Sequence, residues 1–188
     1  MDIEKFGKLP DGQTVERVML SGHGLHANIL TYGALLQDLR LDGHAPPLVL
    51  GFPQFPEYLT DSPYFGANAG RCINRVGGGH LEIGGITYQL DQNFLGKHCL
   101  HGGAMGSGKR NWTIKDQSES AVTLSLHMPD GDMGFPGNLS VQVRYWIGEN
   151  AALNVEFRAT TDQPTICSFA HHSYFNLDGG DSVLDHLL

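Results

Sequence analysis

The sequence is poor in charged residues, above all in basic ones. Only 17% of the 188 residues are charged, and 12 lysines and arginines face 20 aspartates and glutamates, which gives a net charge of −8. No lysine or arginine cluster interrupts this balance. Because proteins that bind nucleic acid non-specifically need basic side chains to neutralise phosphates, we expect no nucleic-acid partner. Neutral small molecules suit this composition better.

Cysteine motifs and long apolar runs are also missing. Cys72, Cys99 and Cys167 stand at irregular spacings without a Cys-x-x-Cys pair, so neither a disulfide framework nor a zinc ribbon is indicated. No apolar run approaches about 18 residues, and the first residues contain no apolar signal core. We therefore expect reduced thiols, a cytoplasmic location and no membrane partner.

The pattern that is present is a period-two alternation of apolar residues, which is typical of β-strands. It predicts strands within residues 14–20, 26–41, 81–90, 112–115, 121–127, 139–147 and 153–159, with a further apolar run at 46–51. Turns are predicted at Gly84-Gly85 and at residues 148–150. No segment has helical periodicity for longer than two or three turns. The prediction is an all-β, antiparallel β-sandwich in which residues 1–188 form a single domain.

Histidine is unusually frequent, with 10 residues, and two groups of histidines lie in turn-like, glycine-rich or aromatic surroundings. The first group contains His98, Cys99 and His101, followed by Gly102-Gly103. The spacing does not match a zinc site. A histidine beside a glycine-lined ligand pocket is the favoured interpretation, because glycine allows a ligand to approach the backbone closely. We expect no metal.

The second group is the segment 170–180, which begins Ala170-His171-His172-Ser173-Tyr174-Phe175. In a strand, His172 and Tyr174 share one face, so a histidine and a tyrosine hydroxyl can face one cleft. A purely structural interpretation is an edge strand with His171 exposed and Phe175 in the core. That interpretation leaves the concentration of donors and acceptors unexplained.

A third segment, residues 64–76, combines aromatic and amide side chains with arginines. It lacks the lysine pattern of a phosphate-binding loop. Its hydrogen-bonding side chains suit sugar hydroxyls, and aromatic surfaces beside them are typical of carbohydrate sites. The candidate donors are Asn68, Arg71, Asn74 and Arg75, and the candidate aromatic surfaces are Tyr64, Phe65 and Trp112.

Together these segments resemble the aldose 1-epimerase (galactose mutarotase) family. The resemblance runs from about Tyr64 to Leu177. In family order it comprises Asn74-Arg75, Leu100-His101-Gly102-Gly103 with Trp112 after it, Gly134-Phe135-Pro136-Gly137, residues 161–165, and His172-Ser173-Tyr174-Phe175-Asn176-Leu177.

The resemblance implies a galactose-mutarotase-like β-supersandwich that interconverts the α and β anomers of hexoses such as galactose and glucose without a cofactor. It implies that His172 is the general acid and that His101 is its catalytic and substrate-binding partner across the sugar. Asn74 and Arg75 are then expected to hold sugar hydroxyls, and Ser173 and Tyr174 are expected to bind the substrate beside the acid.

The chemistry is consistent with these roles. Opening a cyclic hemiacetal requires a base that takes the anomeric hydroxyl proton while an acid protonates the ring oxygen. Rotation about the first carbon–carbon bond and reclosure from the other face give the opposite anomer. Histidine exchanges protons near neutrality, and general acid catalysis typically contributes about 10²–10⁴-fold.

The sequence also departs from the family pattern. Cys167 and Ala170-His171 occupy positions where the family often has other residues, and residues 104–108 lack the aromatic residue that often follows the glycines. The family's glutamate base comes from later strands, and Asp181 and Asp185 lie in no matching motif. We therefore expect an N-terminal part without its C-terminal strands or base, inactive by itself.

Two alternatives stay open. A hexose-phosphate 1-epimerase would need basic residues in the cleft, for which Arg71 and Lys109 are the nearby candidates. A non-catalytic sugar-binding module would keep the pocket without the base. The sequence leaves the preferred sugar and the number of subunits open.

Overall fold

The computed structural model describes residues 2–62 and 64–187. Its strands, in chain order, are β1 (Asp2–Lys8), β2 (Thr14–Gly22), β3 (Leu25–Leu30), β4 (Leu36–Leu41), β5 (Asn68–Ala69), β6 (Arg75–Val76), β7 (His80–Ile83), β8 (Ile86–Gln89), β9 (Cys99–Leu100), β10 (Thr113–Gln117), β11 (Ala121–Met128), β12 (Leu139–Gly148), β13 (Ala152–Thr161) and β14 (Ala170–His171). The α-helix α1 (Phe55–Thr60) and 3-10 turns at Gly77–Gly79, Ser107–Lys109, Asp132–Gly134 and Glu149–Ala151 complete the elements.

Two antiparallel four-stranded sheets form the body of the fold, in the orders β1-β2-β3-β4 and β10-β11-β12-β13. Each strand pairs with its neighbour in sequence, so short turns suffice to connect them. In β12 the side chains alternate between buried and exposed, with Val143 and Tyr145 inward and Gln142 and Arg144 outward. This alternation is the period-two pattern of the sequence, realised as one covered and one open face.

The inward faces of the two sheets share one hydrophobic core. It joins residues of β2, β3 and β4 to residues of β11 and β12, including Val18, Leu20, Ile29, Leu36, Val122, Leu124, Val141, Val143 and Tyr145. Packing two amphipathic sheets face to face buries both apolar faces, which makes the arrangement a β-sandwich.

Three short two-stranded ladders lie outside the main sheets: β5 with β14, β6 with β9, and β7 with β8. The first two bring residues near 70, 100 and 171 together although these are far apart in sequence. Within the described residues, no helix is long and apolar enough to cross a membrane.

The predicted antiparallel β-rich architecture is confirmed, as are both predicted turns. The 46–51 run forms no strand in the described chain and contributes an isolated bridge from Val49 to Phe175. The strand expected through residues 172–175 ends at His171. The structural interpretation of this segment is wrong on both counts, because His171 is half-buried rather than exposed and Phe175 is 52% exposed.

Candidate active site

The three segments singled out in the sequence meet at one open pocket of about 450 Å³. Its lining consists of Tyr64, Ile73, Asn74, Arg75, Leu100, His101, His172 and Tyr174. Of the six site residues that the family resemblance predicts, only Ser173 is outside this lining.

The β6–β9 ladder positions one side of the pocket. Arg75 pairs with Leu100, so Asn74 and His101 lie directly beyond the paired residues. There the His101 backbone N–H donates to the Asn74 carbonyl at 3.0 Å, and the Asn74 backbone N–H donates to His101 Nδ1 at 3.1 Å. Both residues have positive φ, 63° at Asn74 and 52° at His101. Such conformations are costly outside glycine and cluster at functional sites.

The hydrogen bond from Asn74 determines the state of the His101 ring. Because Nδ1 accepts a backbone N–H, the proton of the neutral imidazole must be on Nε2. Burial, followed by the charges of His172, Arg75 and Lys109, lowers the pKa of His101 to about 4. At neutral pH His101 is therefore a neutral ring whose remaining polar group is a hydrogen-bond donor.

The β5–β14 ladder positions the opposite side. Ala170 pairs with Ala69, and beyond it the His172 backbone N–H donates to the Ala67 carbonyl at 2.9 Å. The Gly66 N–H donates to the His172 carbonyl at 3.1 Å. The His172 ring centroid lies 5.2 Å from that of His101 and 5.2 Å from that of Tyr174. His172 and Tyr174 thus face one cleft, as the alternation predicts, although the strand is shorter than expected.

Tyr64 contacts both imidazoles. Its ring centroid is 4.7 Å from that of His101, in an edge arrangement, and 5.8 Å from that of His172. The Lys109 ammonium lies 5.2 Å from the Tyr64 ring centroid, which is within cation–π range. Tyr64 also has positive φ, 73°. The predicted aromatic surface of the pocket is therefore Tyr64.

Arg75 and Asn74 form the polar rim. The Arg75 Nη1 donates to Asn74 Oδ1 at 3.0 Å, and the guanidinium stacks over the Phe94 ring at 4.5 Å. Both side chains are exposed. The guanidinium carries further donors in a fixed planar arrangement, which suits adjacent hydroxyl groups of a sugar.

Several residues proposed for sugar contact are structural instead. Arg71 is fully buried, and its guanidinium donates to the carbonyls of Pro136, Gly137 and Met128. Asn68 is equally buried and bonds Ala34 and Tyr145. The prediction for Arg71 and Asn68 was wrong because the sequence does not distinguish a polar side chain that bonds backbone carbonyls from one that binds a ligand.

The two other proposed aromatic surfaces lie elsewhere. Trp112 is 3% exposed, within the sandwich core, and its indole N–H donates to the Ser107 carbonyl at 3.0 Å. Phe65 stacks on Phe52 and contacts Tyr174 from outside the pocket lining. Ser173 lies 2.7 Å from His171 Nε2, on the side of the segment that faces away from the pocket.

No group of three or more histidine, cysteine, aspartate and glutamate side chains in the described part of the chain is arranged to hold a metal ion. Cys99 is buried, and burial raises the pKa of its thiol to about 11. The His98 Nδ1 accepts the Gly78 backbone N–H at 3.0 Å. Of the histidine group at 98–101, only His101 faces the pocket.

The pocket therefore combines a neutral imidazole donor, a second histidine, an arginine and an amide around an aromatic wall. The aldose 1-epimerase family model matches residues 16–188. The chain belongs to this family. Galactose mutarotase of Sus scrofa is 38% identical over 187 residues, and aldose 1-epimerase of Escherichia coli is 35% identical over 184 residues.

Solved structures agree with this family membership. An aldose epimerase homologue from C. elegans matches with a TM-score of 0.82 at 32% identity, covering 89% of this chain and 52% of that one. Galactose 1-epimerase from Lactobacillus acidophilus matches with a TM-score of 0.83 at 27% identity, covering 94% of this chain and 53% of that one.

This aldose 1-epimerase family chain spans about half the length of the relatives it matches. The alignments cover 96% of the chain but 54% of the Sus scrofa protein, and 95% of the chain but 53% of the Escherichia coli protein. The matched part is the N-terminal part of those relatives. The fold predicted from the sequence motifs, a galactose-mutarotase-like sandwich, is confirmed.

Proposed function

We propose that the protein containing this chain is an aldose 1-epimerase that interconverts the α and β anomers of hexoses such as galactose and glucose. Residues 1–188 would form one domain that supplies the acid side of the reaction in the cytoplasm, without a cofactor. The observation that carries the proposal is the pair of imidazoles, His101 and His172, whose centroids lie 5.2 Å apart in one open pocket.

The two imidazoles have different tasks in this proposal. His172 protonates the ring oxygen as the hemiacetal opens and takes the proton back on reclosure. His101 donates a hydrogen bond from Nε2 to the sugar, and because it is neutral it does not compete as an acid. Asn74 and Arg75 hold hydroxyl groups at the rim, and Tyr174 lies beside the acid. This division is supported by the hydrogen bond from Asn74 to His101 Nδ1.

Ring opening also needs a base for the anomeric hydroxyl. Among the described residues that line the pocket there is no aspartate or glutamate. We propose that this base, a glutamate in the resemblance, comes from outside these residues, so that the 188-residue chain alone binds sugar weakly and does not turn it over. A non-catalytic sugar-binding module is the alternative that this absence favours.

The hexose-phosphate alternative loses one of its two basic candidates. Arg71 is fully buried, and its guanidinium is committed to loop carbonyls, so it cannot meet a phosphate in the pocket. Lys109 remains nearby, over Tyr64. A neutral aldose is therefore the substrate class we propose.

Polarimetry on freshly dissolved α-galactose, α-glucose and α-glucose 6-phosphate tests the proposal. The complete protein should accelerate the change in optical rotation of the two neutral sugars, and His172→Ala should remove most of that gain, about 10²-fold or more. Sugar binding detected by saturation-transfer NMR without any acceleration would favour the binding module. Acceleration confined to the phosphorylated sugar would contradict the substrate class.

A further inference from the structure

A buried hydrogen-bond network lies behind His172, on the side away from the pocket. Tyr145 faces inward on β12, and its hydroxyl donates a hydrogen bond to the Ala34 carbonyl at 2.8 Å. The Asn68 amide nitrogen donates to the same carbonyl and to the Tyr145 oxygen, each at 2.7 Å. His171 Nδ1 lies 3.3 Å from both the Tyr145 oxygen and Asn68 Oδ1.

The donors and acceptors of this network allow one arrangement. Because the Asn68 nitrogen is committed to two acceptors, the oxygen Oδ1 is what faces His171, and His171 Nδ1 must carry a proton to satisfy it. A neutral imidazole has one N–H, so Nε2 is then an acceptor. The Ser173 hydroxyl, 2.7 Å from Nε2, must donate to it. Burial and the neighbouring His172 lower the pKa of His171 to about 4, in agreement with a neutral ring.

These bonds hold the residues on both sides of His172. His171 is tied to β5 through Asn68 and to β12 through Tyr145, and Ser173 is tied to His171. The backbone of His172 itself bonds Ala67 and Gly66. Since consecutive side chains in an extended segment point in opposite directions, fixing 171 and 173 inward turns the His172 ring outward into the pocket.

We propose that His171 is a positioning residue: neutral and protonated on Nδ1, it accepts a hydrogen bond from the Ser173 hydroxyl at Nε2 and thereby orients His172 into the pocket. Ser173, which the motif suggested as a sugar ligand, acts through this bond instead. The expected effect on catalysis rests on the proposed function. The protonation of His171 on Nδ1 and its hydrogen bond from Ser173 can be tested without any activity.

Kinetics of the complete protein provide the first test. Ser173→Ala and His171→Leu should each lower kcat about tenfold and change KM less than about twofold, because ground-state sugar contacts remain. The double variant should be no slower than the slower single variant, since both break one connection. Ser173→Thr, which keeps the hydroxyl, should restore kcat. A higher KM with unchanged kcat in Ser173→Ala, or additive losses, would overturn the proposal.

NMR provides a test that does not need activity. Nitrogen-15 spectra of histidine side chains should show His171 protonated on Nδ1 at pH 7, and Ser173→Ala should shift the ring signals of His172. Ser140→Ala is the matched control, because Ser140 lies 3.4 Å from His127 in an exposed pair on the outer sheet face. An Nε2-protonated His171, or unmoved His172 signals, would refute the positioning role even if mutarotation failed.

Discussion

Acid should destabilise this fold through His171. Its pKa in the folded protein is lowered from 6.5 to about 4 by burial and by His172. Between these values the unfolded chain binds a proton that the folded chain does not, so stability is fully present above pH 6.5 and is lost as the pH falls towards 4. The titratable groups that face His171 are Tyr145, from β12, and His172.

The size of the effect follows from the pKa. A tenfold change in proton affinity corresponds to about 1.4 kcal/mol, so a pKa lowered from 6.5 to about 4 gives about 3 kcal/mol. That is a large part of the 5–15 kcal/mol that is typical of a folded domain. The pKa of His101 is lowered in the same direction, but His101 is more open to solvent, so the figure of about 3 kcal/mol includes no contribution from it.

Urea unfolding followed by tryptophan fluorescence at pH 7 and pH 4 measures this loss. Carboxylates and other histidines contribute in every variant, so the informative quantity is a difference between variants. His171→Asn, which cannot bind the proton, should reduce the loss of unfolding free energy on acidification by about 3 kcal/mol. His127→Asn, at an exposed histidine, should leave it unchanged. Equal losses in wild type and His171→Asn would refute the reasoning.

Three further predictions concern single side chains. In urea titrations, Arg71→Met should lower the free energy of unfolding by about 2–4 kcal/mol, because buried loop carbonyls lose their donor. Arg75 is exposed, so Arg75→Met should lower it by less than about 1 kcal/mol. Arg75→Met should instead raise KM for the sugar in polarimetry, and an unchanged KM would remove Arg75 from the site. Gly102→Ala should lower the thermal unfolding temperature far more than Gly84→Ala, although both glycines have positive φ. A Cβ at residue 102 would lie 2.0 Å from the Gly70 carbonyl oxygen, whereas a Cβ at residue 84 meets nothing within 4 Å. Equal losses in the two variants would contradict the clash.

The sandwich could be predicted because strand alternation is a local property of the sequence. In β12 each inward residue of the pattern is buried, and Gly148 and Asn150 mark the turn into β13. The short ladders β5–β14 and β6–β9 could not be predicted in this way. They consist of two residues each and pair segments far apart in sequence, so no periodicity identifies them.

In the candidate site, too, residues that belong to a sequence motif could be predicted, and those whose role depends on burial could not. His101, His172 and Tyr174 carry a motif and line the pocket, as do Asn74 and Arg75. The positions of Arg71 and Asn68 could not be foreseen, because burial decides whether a polar side chain meets a ligand or a loop carbonyl. The role of Tyr145 was missed for a related reason.

Tyr145 lies on the inward face of β12. A tyrosine at a buried position needs a partner for its hydroxyl, and that signal was available in the sequence. The partners themselves, Ala34, Asn68 and His171, come from three other parts of the chain and are visible only in the fold.

The central claim is that His172 transfers the proton and His101 only donates a hydrogen bond. The most direct test is the pH dependence of kcat for mutarotation in the complete protein, in wild type, His172→Gln and His101→Gln. We expect the limb of the profile that reports the acid to disappear in His172→Gln and to persist, at a lower kcat, in His101→Gln. Loss of that limb in His101→Gln and its retention in His172→Gln would contradict the account.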